Sequence, residues 1–312
     1  MNLYSDVADR VLDAFVETSE VIRVWNELDC TRPHNKNGHK KAPPGHLFIS
    51  GQSRSGKSLM VQKYIEINSG KVIREENGDE KDVKPVVYMQ VPCPFTHLGF
   101  YKKISEEALN APRLPGKQSI YDAQDRAFML LEKMQVEMLI LDEIDYITNS
   151  RAVKPLEAME TLKYISNNSK VSLVCIGQPK IEELRKINMQ YFSRFTPIYF
   201  ERFKACDDEF CLFLKKFEEQ IKTPNYIGMG ESETVLPQIL YKMSNGLIGM
   251  LTRIISTAFR KISLDKSFNG DLDIGRFTDY LLKGQESVIG NIDPEDYSSI
   301  LDGEMPLHKN KK

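Results

Sequence analysis

From residue 46 to residue 203, short unbroken apolar runs alternate with stretches whose apolar side chains recur every three or four positions. The runs His46–Ser50, Pro85–Val91, Val136–Asp142, Val171–Gly177 and Ile198–Phe200 read as strands. Helical spacing marks Ser58–Ile65, Leu98–Leu109, Tyr121–Met134, Pro155–Asn167 and Pro179–Met189, and Gln190–Phe195 joins the last of these to the last strand. Strands that are apolar throughout are buried on both faces. The alternation therefore predicts an α/β fold with a parallel five-stranded sheet flanked by helices.

The flanks read differently. Val7, Val11, Leu12, Phe15, Val21, Ile22 and Trp25 form a helical stripe between Leu3 and Leu28 that breaks near Thr18–Ser19. Val21, Ile22 and Trp25 are candidates to lie beside a nucleotide base, although a helix docked on the core is the plainer reading. Cys30–Pro44 is a polar loop whose His34 and His39 lack metal-ligand spacing. Gly70–Lys84 is mostly charged, with mixed sign, and reads as a surface excursion. From Lys204 the pattern turns wholly helical, in Asp207–Ile221, Glu233–Met243, Ile248–Leu264 and Ile274–Leu282. The expected division is an N-terminal helical segment and loop (1–45), an α/β core (46–203), a small C-terminal helical lid (204–289) and a flexible tail (290–312).

Composition changes this picture little. With 41% apolar and 28% charged residues, the 312-residue chain belongs with ordinary globular proteins. A net charge of −2 advertises no nucleic-acid surface but leaves room for a local one. Cys30, Cys93, Cys175, Cys206 and Cys211 form no C-x-x-C pair and are expected as buried, reduced thiols. Neither a signal peptide nor a membrane-spanning run is legible, so a cytoplasmic protein with no membrane partner is expected.

Chemistry enters between the first strand and the first core helix. Gly51-Gln52-Ser53-Arg54-Ser55-Gly56-Lys57-Ser58, followed by Leu59, fits the phosphate-loop pattern G-x-x-x-x-G-K-[ST] in the required strand–loop–helix context. Glycines at both ends let the backbone turn its N–H groups toward a phosphate, and the following helix N-terminus adds its dipole. Lys57 brings a point charge to the β- and γ-phosphates, and the Ser58 hydroxyl is a Mg²⁺ ligand candidate. The strand Val136–Asp142 ends in the second half of the site, a Walker B pair. Asp142 is placed to hold Mg²⁺ and Glu143 to orient the attacking water. Gln178, at the tip of the fourth strand, is placed either to sense the γ-phosphate or water, or to cap a turn. ATP with Mg²⁺ is the expected cofactor, and hydrolysis to ADP and phosphate the expected reaction.

This order of parts resembles that of AAA+ ATPases. Four stretches narrow the resemblance to the TniB/TnsC transposition regulators: P-V-V-Y-M-Q-V-P at 85–92, G-K-Q-S-I-Y-D-A-Q-D-R at 116–126, V-E-M-L-I-L-D-E-I-D at 136–145 and S-R-F at 193–195. The resemblance implies an ATP-dependent matchmaker that assembles as a ring or helical filament on duplex DNA. It would connect a target-selection protein of the TniQ/TnsD type to a DDE transposase. It further implies that Arg194, otherwise a surface charge, reaches the neighbouring subunit's site, and that Lys117, with Arg113 nearby, meets the DNA backbone without sequence preference. The lid departs from the AAA+ pattern: Gly246–Met250 carries no basic residue, and Arg253 lies a turn later. A helicase loader or other DNA-remodelling ATPase, and a nucleotide-gated signalling switch that binds no DNA, are the competing readings.

Overall fold

The computed structural model describes residues 4–33, 44–74, 78 and 80–290. The stretch 34–43, with His34 and His39, and the tail beyond Gly290 lie outside them. The described residues gather into two compact units, one of 20–51 with 57–200 and one of 4–19, 52–56 and 201–290. Along the chain run α1 (Ser5–Asp13), α2 (Ser19–Thr31), β1 (His46–Ser50), α3 (Lys57–Ile67), β2 (Lys71–Arg74) and β3 (Glu80–Val83). Next come β4 (Val86–Gln90), α4 (His97–Lys103), α5 (Ile120–Lys133), β5 (Met138–Asp142), α6 (Asp145–Thr148), α7 (Pro155–Asn168) and β6 (Ser172–Gly177). The chain continues through α8 (Glu182–Arg185), α9 (Met189–Arg194), β7 (Phe195–Tyr199), α10 (Asp208–Ile221), α11 (Leu236–Ser244), α12 (Ile248–Leu264) and α13 (Ile274–Ile289).

In the first unit, five strands pair in the order β4-β5-β6-β1-β7, all parallel. The three inner strands β1, β5 and β6 are buried at every position, because helices cover both faces of a parallel sheet. The outer strands are less apolar: β4 leaves Tyr88 half-buried and Gln90 exposed, and β7 buries Phe195 and Ile198 but exposes Thr196, Pro197 and Tyr199. Pro197 lies inside β7, which the edge position tolerates since no ladder bond is needed on the outer side.

Several boundaries differ from the sequence reading, each for a local reason. The charged stretch 70–84 is no plain loop: β2 and β3 form an antiparallel hairpin with Arg74 opposite Glu80, an ion pair at 3.8 Å. The helix expected over 179–189 is broken. A single 3₁₀ turn at Pro179–Ile181 leads into α8, and Asn188 then caps a separate α9 by accepting the Tyr191 N–H at 3.0 Å. Gln190–Phe195 is consequently helical up to Arg194, and β7 begins at Phe195 rather than Ile198. The helix after β4 ends in a π turn at Ile104–Ala108, and α13 runs on to Ile289. Among the thiols, Cys175 and Cys211 are buried, but Cys30 and Cys93 are exposed. Val21 is buried in α2 while Ile22 faces solvent, and the Trp25 indole donates to the Met60 carbonyl of α3 at 3.3 Å. Helix α2 thus docks on the helix that follows the phosphate loop.

The second unit is a helical cluster around Phe210, Phe217, Leu251, Ile254, Phe259 and Phe277. Helix α1 is part of it: Val7, Ala8 and Val11 are buried there, and the Ser256 hydroxyl of α12 donates to the Ala8 carbonyl at 2.8 Å. Asp207 and Asp273 cap α10 and α13 by accepting the N–H groups of Phe210 and Arg276. The buried Glu218 carboxylate accepts from Ile227, Gly228 and Met229, which fixes the connector after α10. Among the described residues no helix is long and apolar enough to cross a membrane.

Candidate functional site

The strand order sets the site. β6 lies between β1 and β5, so the phosphate loop, Gln178 and Asp142 leave three adjacent parallel strands at the same edge of the sheet. Short bonds tie these exits together. The Gly51 N–H donates to the Gly177 carbonyl at 3.2 Å, and the Ile144 N–H donates to the Ile176 carbonyl at 3.0 Å.

The loop turns through left-handed backbone at two positions. Gly56 has φ +104°, a value that a side chain would strain, and Arg54 is left-handed at φ 63°. The Ser55 N–H donates to the Gln52 carbonyl at 3.3 Å, and the Arg54 carbonyl accepts the Gly249 N–H at 2.8 Å. Gln52 is half-buried, Ser53 exposed and Leu59 half-buried. The Ser55 hydroxyl is buried with no hydrogen-bond partner among the described residues, an orphan that an arriving phosphate oxygen would satisfy. The Lys57 ammonium donates to the Gly51 carbonyl at 2.6 Å. Burial lowers its pKa, and the nearby charges of Asp142, Asp145 and Glu143 oppose that shift.

Asp142, only 4% exposed, is the centre of the acidic half. Its Oδ2 accepts from the Ser58 hydroxyl at 3.2 Å and from the Tyr88 hydroxyl at 3.0 Å, while its Oδ1 accepts the Glu143 N–H at 2.8 Å. Glu143 is left-handed at φ 56°, a conformation uncommon for a residue with a side chain, which turns the chain out of β5. Its carboxyl pKa is raised, first by burial and then by the charges of Asp142 and Asp145. Asp145 accepts the Gln178 N–H through both oxygens, at 3.3 and 3.0 Å. A Cβ on Gly177 would stand 2.4 Å from Asp145 Oδ2, so only glycine admits this clasp. Asp145 thereby fixes the Gln178 backbone, and the Gln178 side chain is exposed.

These residues fit a Mg²⁺–nucleotide. Among the described residues no group of three or more His, Cys, Asp or Glu side chains could cage a metal unaided. A Ser–Asp pair beside a phosphate loop suits Mg²⁺, which takes one or two protein ligands and completes its shell with phosphate and water.

The remaining expected residues lie apart from this cluster. Arg194 is half-buried at the end of α9, and its guanidinium donates to Ser166 Oγ at 2.5 Å and Asn167 Oδ1 at 2.7 Å on α7. Arg113 and Lys117 are exposed in the segment between α4 and α5, where Arg113 pairs with Glu106 at 3.3 Å. A capping box between Ser119 and Asp122 starts α5 immediately after Lys117. Arg253 is exposed on α12. Sequence reasoning passed over Tyr88 and Asp145. Asp145 stands three positions after Asp142 in the acidic run itself, and Tyr88 lies diagonal to Asp142 across the β4–β5 ladder, where Gln90 is opposite Asp142.

Solved structures share this architecture. The Aeropyrum pernix ORC1 protein, in complex with DNA, superposes with a TM-score of 0.60 at 16% identity, over 98% of this chain and 73% of that one. A Walker-type ATPase of Pyrococcus abyssi gives 0.56 at 13% identity, covering 89% and 74%. The Cdc6 protein of Pyrobaculum aerophilum gives 0.51 at 14%, covering 78% and 62%. No curated protein matches the chain. At these identities the likeness establishes the fold alone, a parallel five-stranded sheet flanked by helices with a helical C-terminal region. The family model described as bacterial TniB protein matches residues 11–205, from α1 through the phosphate loop, the Asp142–Glu143 pair and β7. The chain belongs to the TniB family.

Proposed function

We propose that this protein is an ATP-dependent regulator of DNA transposition. It binds ATP with Mg²⁺ and assembles with copies of itself as a ring or helical filament on duplex DNA. In that state it connects a target-selection protein of the TniQ/TnsD type to a DDE transposase. The observation that carries the reading is the Ser58–Asp142 contact at 3.2 Å beside the Lys57 ammonium and Glu143, in a chain of the TniB family. Residues 51–59 would cradle the phosphates, with Ser58 and Asp142 holding the metal. A bound Mg²⁺ would supply positive charge to offset that of the phosphates. Glu143 would position and deprotonate the attacking water, a role its raised pKa favours. Gln178, fixed through its backbone by Asp145, would face that water or the γ-phosphate.

Arg194 would complete a neighbouring subunit's site after releasing Ser166 and Asn167. Lys117 and Arg113 would contact DNA phosphates, one weak set per subunit, made useful when assembly lines up many sets. The DNA-bound state of the ORC1 neighbour supports a DNA partner, and family membership favours transposition over helicase loading, for which the fold likeness alone speaks.

Fluorescence anisotropy on two unrelated duplexes tests the reading. Binding should require ATP, be cooperative, fall steeply with salt and weaken about equally on both duplexes in Lys117→Glu, whose monomer keeps its ATP affinity. An ATP-bound protein that ignores DNA at low salt would refute DNA assembly and leave the signalling switch as the better account.

A further inference from the structure

Tyr88 stands outside the motifs that define the site, yet its hydroxyl donates to Asp142 Oδ2 at 3.0 Å. The β4–β5 register explains how it gets there. Gln90 is opposite Asp142, and Tyr88, two positions earlier on β4, projects from the same face. A diagonal neighbour across a ladder is out of reach of short side chains but within reach of a tyrosine. The rest of β4 shows what packing alone asks of the strand: Val86, Val87 and Met89 are buried and apolar. Tyr88 is only half-buried, and its polar tip is turned toward the acid.

Asp142 Oδ2 has two acceptor directions, and both are taken, one by Ser58 and one by Tyr88. Oδ1 is held by the Glu143 N–H at 2.8 Å. With Oδ1 fixed by the backbone and one direction of Oδ2 fixed by the phenol, the carboxylate cannot rotate about its Cβ–Cγ bond without breaking a bond. The remaining direction of Oδ2 therefore stays on Ser58 Oγ. A Ser58 hydroxyl that gives its proton to Asp142 keeps its lone pairs free for a cation. The geometry points to Tyr88 as the positioning residue of the Mg²⁺ site: its hydroxyl sets the Asp142 carboxylate so that the Ser58 hydroxyl oxygen and the second acceptor direction of Asp142 Oδ1 are held ready for the cation.

This rests on the Mg²⁺–nucleotide reading of the site and adds a residue that acts through Asp142. Outer partners of metal ligands commonly govern affinity about tenfold or more. Tyr88→Phe removes one oxygen and leaves the ring in place, so the strand keeps its packing.

The test is a titration with a fluorescent ATP analogue, first in EDTA and then at fixed nucleotide with rising Mg²⁺. In Tyr88→Phe the EDTA affinity should match the parent, because Lys57 and the loop are untouched. The Mg²⁺ concentration giving half of the metal-dependent gain should rise about tenfold. Thermal unfolding of both proteins without ligand should agree closely. An unchanged Mg²⁺ midpoint overturns the proposal, and so does an equal loss with and without metal, which would mean a general packing role. If the parent itself binds nucleotide with no dependence on Mg²⁺, the metal reading of Ser58 and Asp142 fails first and takes this one with it.

Discussion

His46, the first residue of β1, should make the protein's stability fall as the medium is acidified through a defined window. The side chain is 5% exposed, its ring centroid lies 5.4 Å from that of Phe195, and its Nδ1 accepts the Leu173 N–H at 3.0 Å. An acceptor at Nδ1 requires the neutral ring. Burial, and next the positive charge of Arg194, lower its pKa from 6.5 to about 4. Because the folded pKa is depressed, the unfolded chain binds the extra proton between these values. Stability is then complete above pH 6.5 and is lost as pH falls toward 4. At 1.36 kcal/mol per pKa unit, the loss reaches about 2 kcal/mol at pH 5 and about 3 kcal/mol at pH 4. His46→Asn offers an amide oxygen near the position of Nδ1 and removes the titrating group. Urea unfolding at steps from pH 7 to pH 4 should show the parent losing about 2 kcal/mol more than the variant by pH 5. The variant starts lower because it lacks the ring, so the difference in slope is the readout. Parallel pH profiles, or an imidazole NMR titration of the folded protein with a midpoint near 6.5, would refute the reasoning.

Three changes at the nucleotide site separate its parts. Lys57→Ala should abolish ATP binding in an equilibrium titration, since the half-buried ammonium is the charge proposed to meet the phosphates. Glu143→Gln should keep ATP binding and cut phosphate release about a hundredfold; release at the parent rate would remove Glu143 from the water-activating role. Arg194→Ala should lose hydrolysis alone and regain part of it when mixed with Lys57→Ala, each supplying its intact half, whereas inactivity at every mixing ratio would count against a shared site.

The parts legible in the sequence are those whose physics is local. β1, β5 and β6 are buried at every position, so apolar runs betrayed them to within two residues at either end. The phosphate loop and the acidic strand end were equally plain, because a tight turn needs glycines at fixed offsets and a carboxylate at the end of an apolar run stands out. The hairpin β2–β3 was hidden since its residues are nearly all exposed, which removes the alternation that marks a half-buried strand. The break before α9 turns on Asn188 acting as a cap, and an asparagine in a helical pattern carries no such label until its partner, the Tyr191 N–H, is in place.

Tyr88 shows a different kind of limit. Its role depends on register: shift β4 by one residue against β5 and the tyrosine faces away from Asp142, with the same sequence and the same strand. No spacing along the chain encodes that pairing, because β4 and β5 are joined by the helices between them. Asp145 is illegible for a related reason. It lies within the acidic run, but its partner is the backbone after β6, brought alongside only because β6 inserts between β5 and β1. Metal ligands and phosphate contacts come from short contiguous motifs, whereas the groups that aim them come from neighbouring strands. The same order β4-β5-β6-β1-β7 therefore decides which residue stands behind Asp142 and which holds Gln178. Changes at Tyr88 or Asp145 should consequently act on metal affinity and on the placement of Gln178, while leaving the phosphate loop's own grip on nucleotide intact.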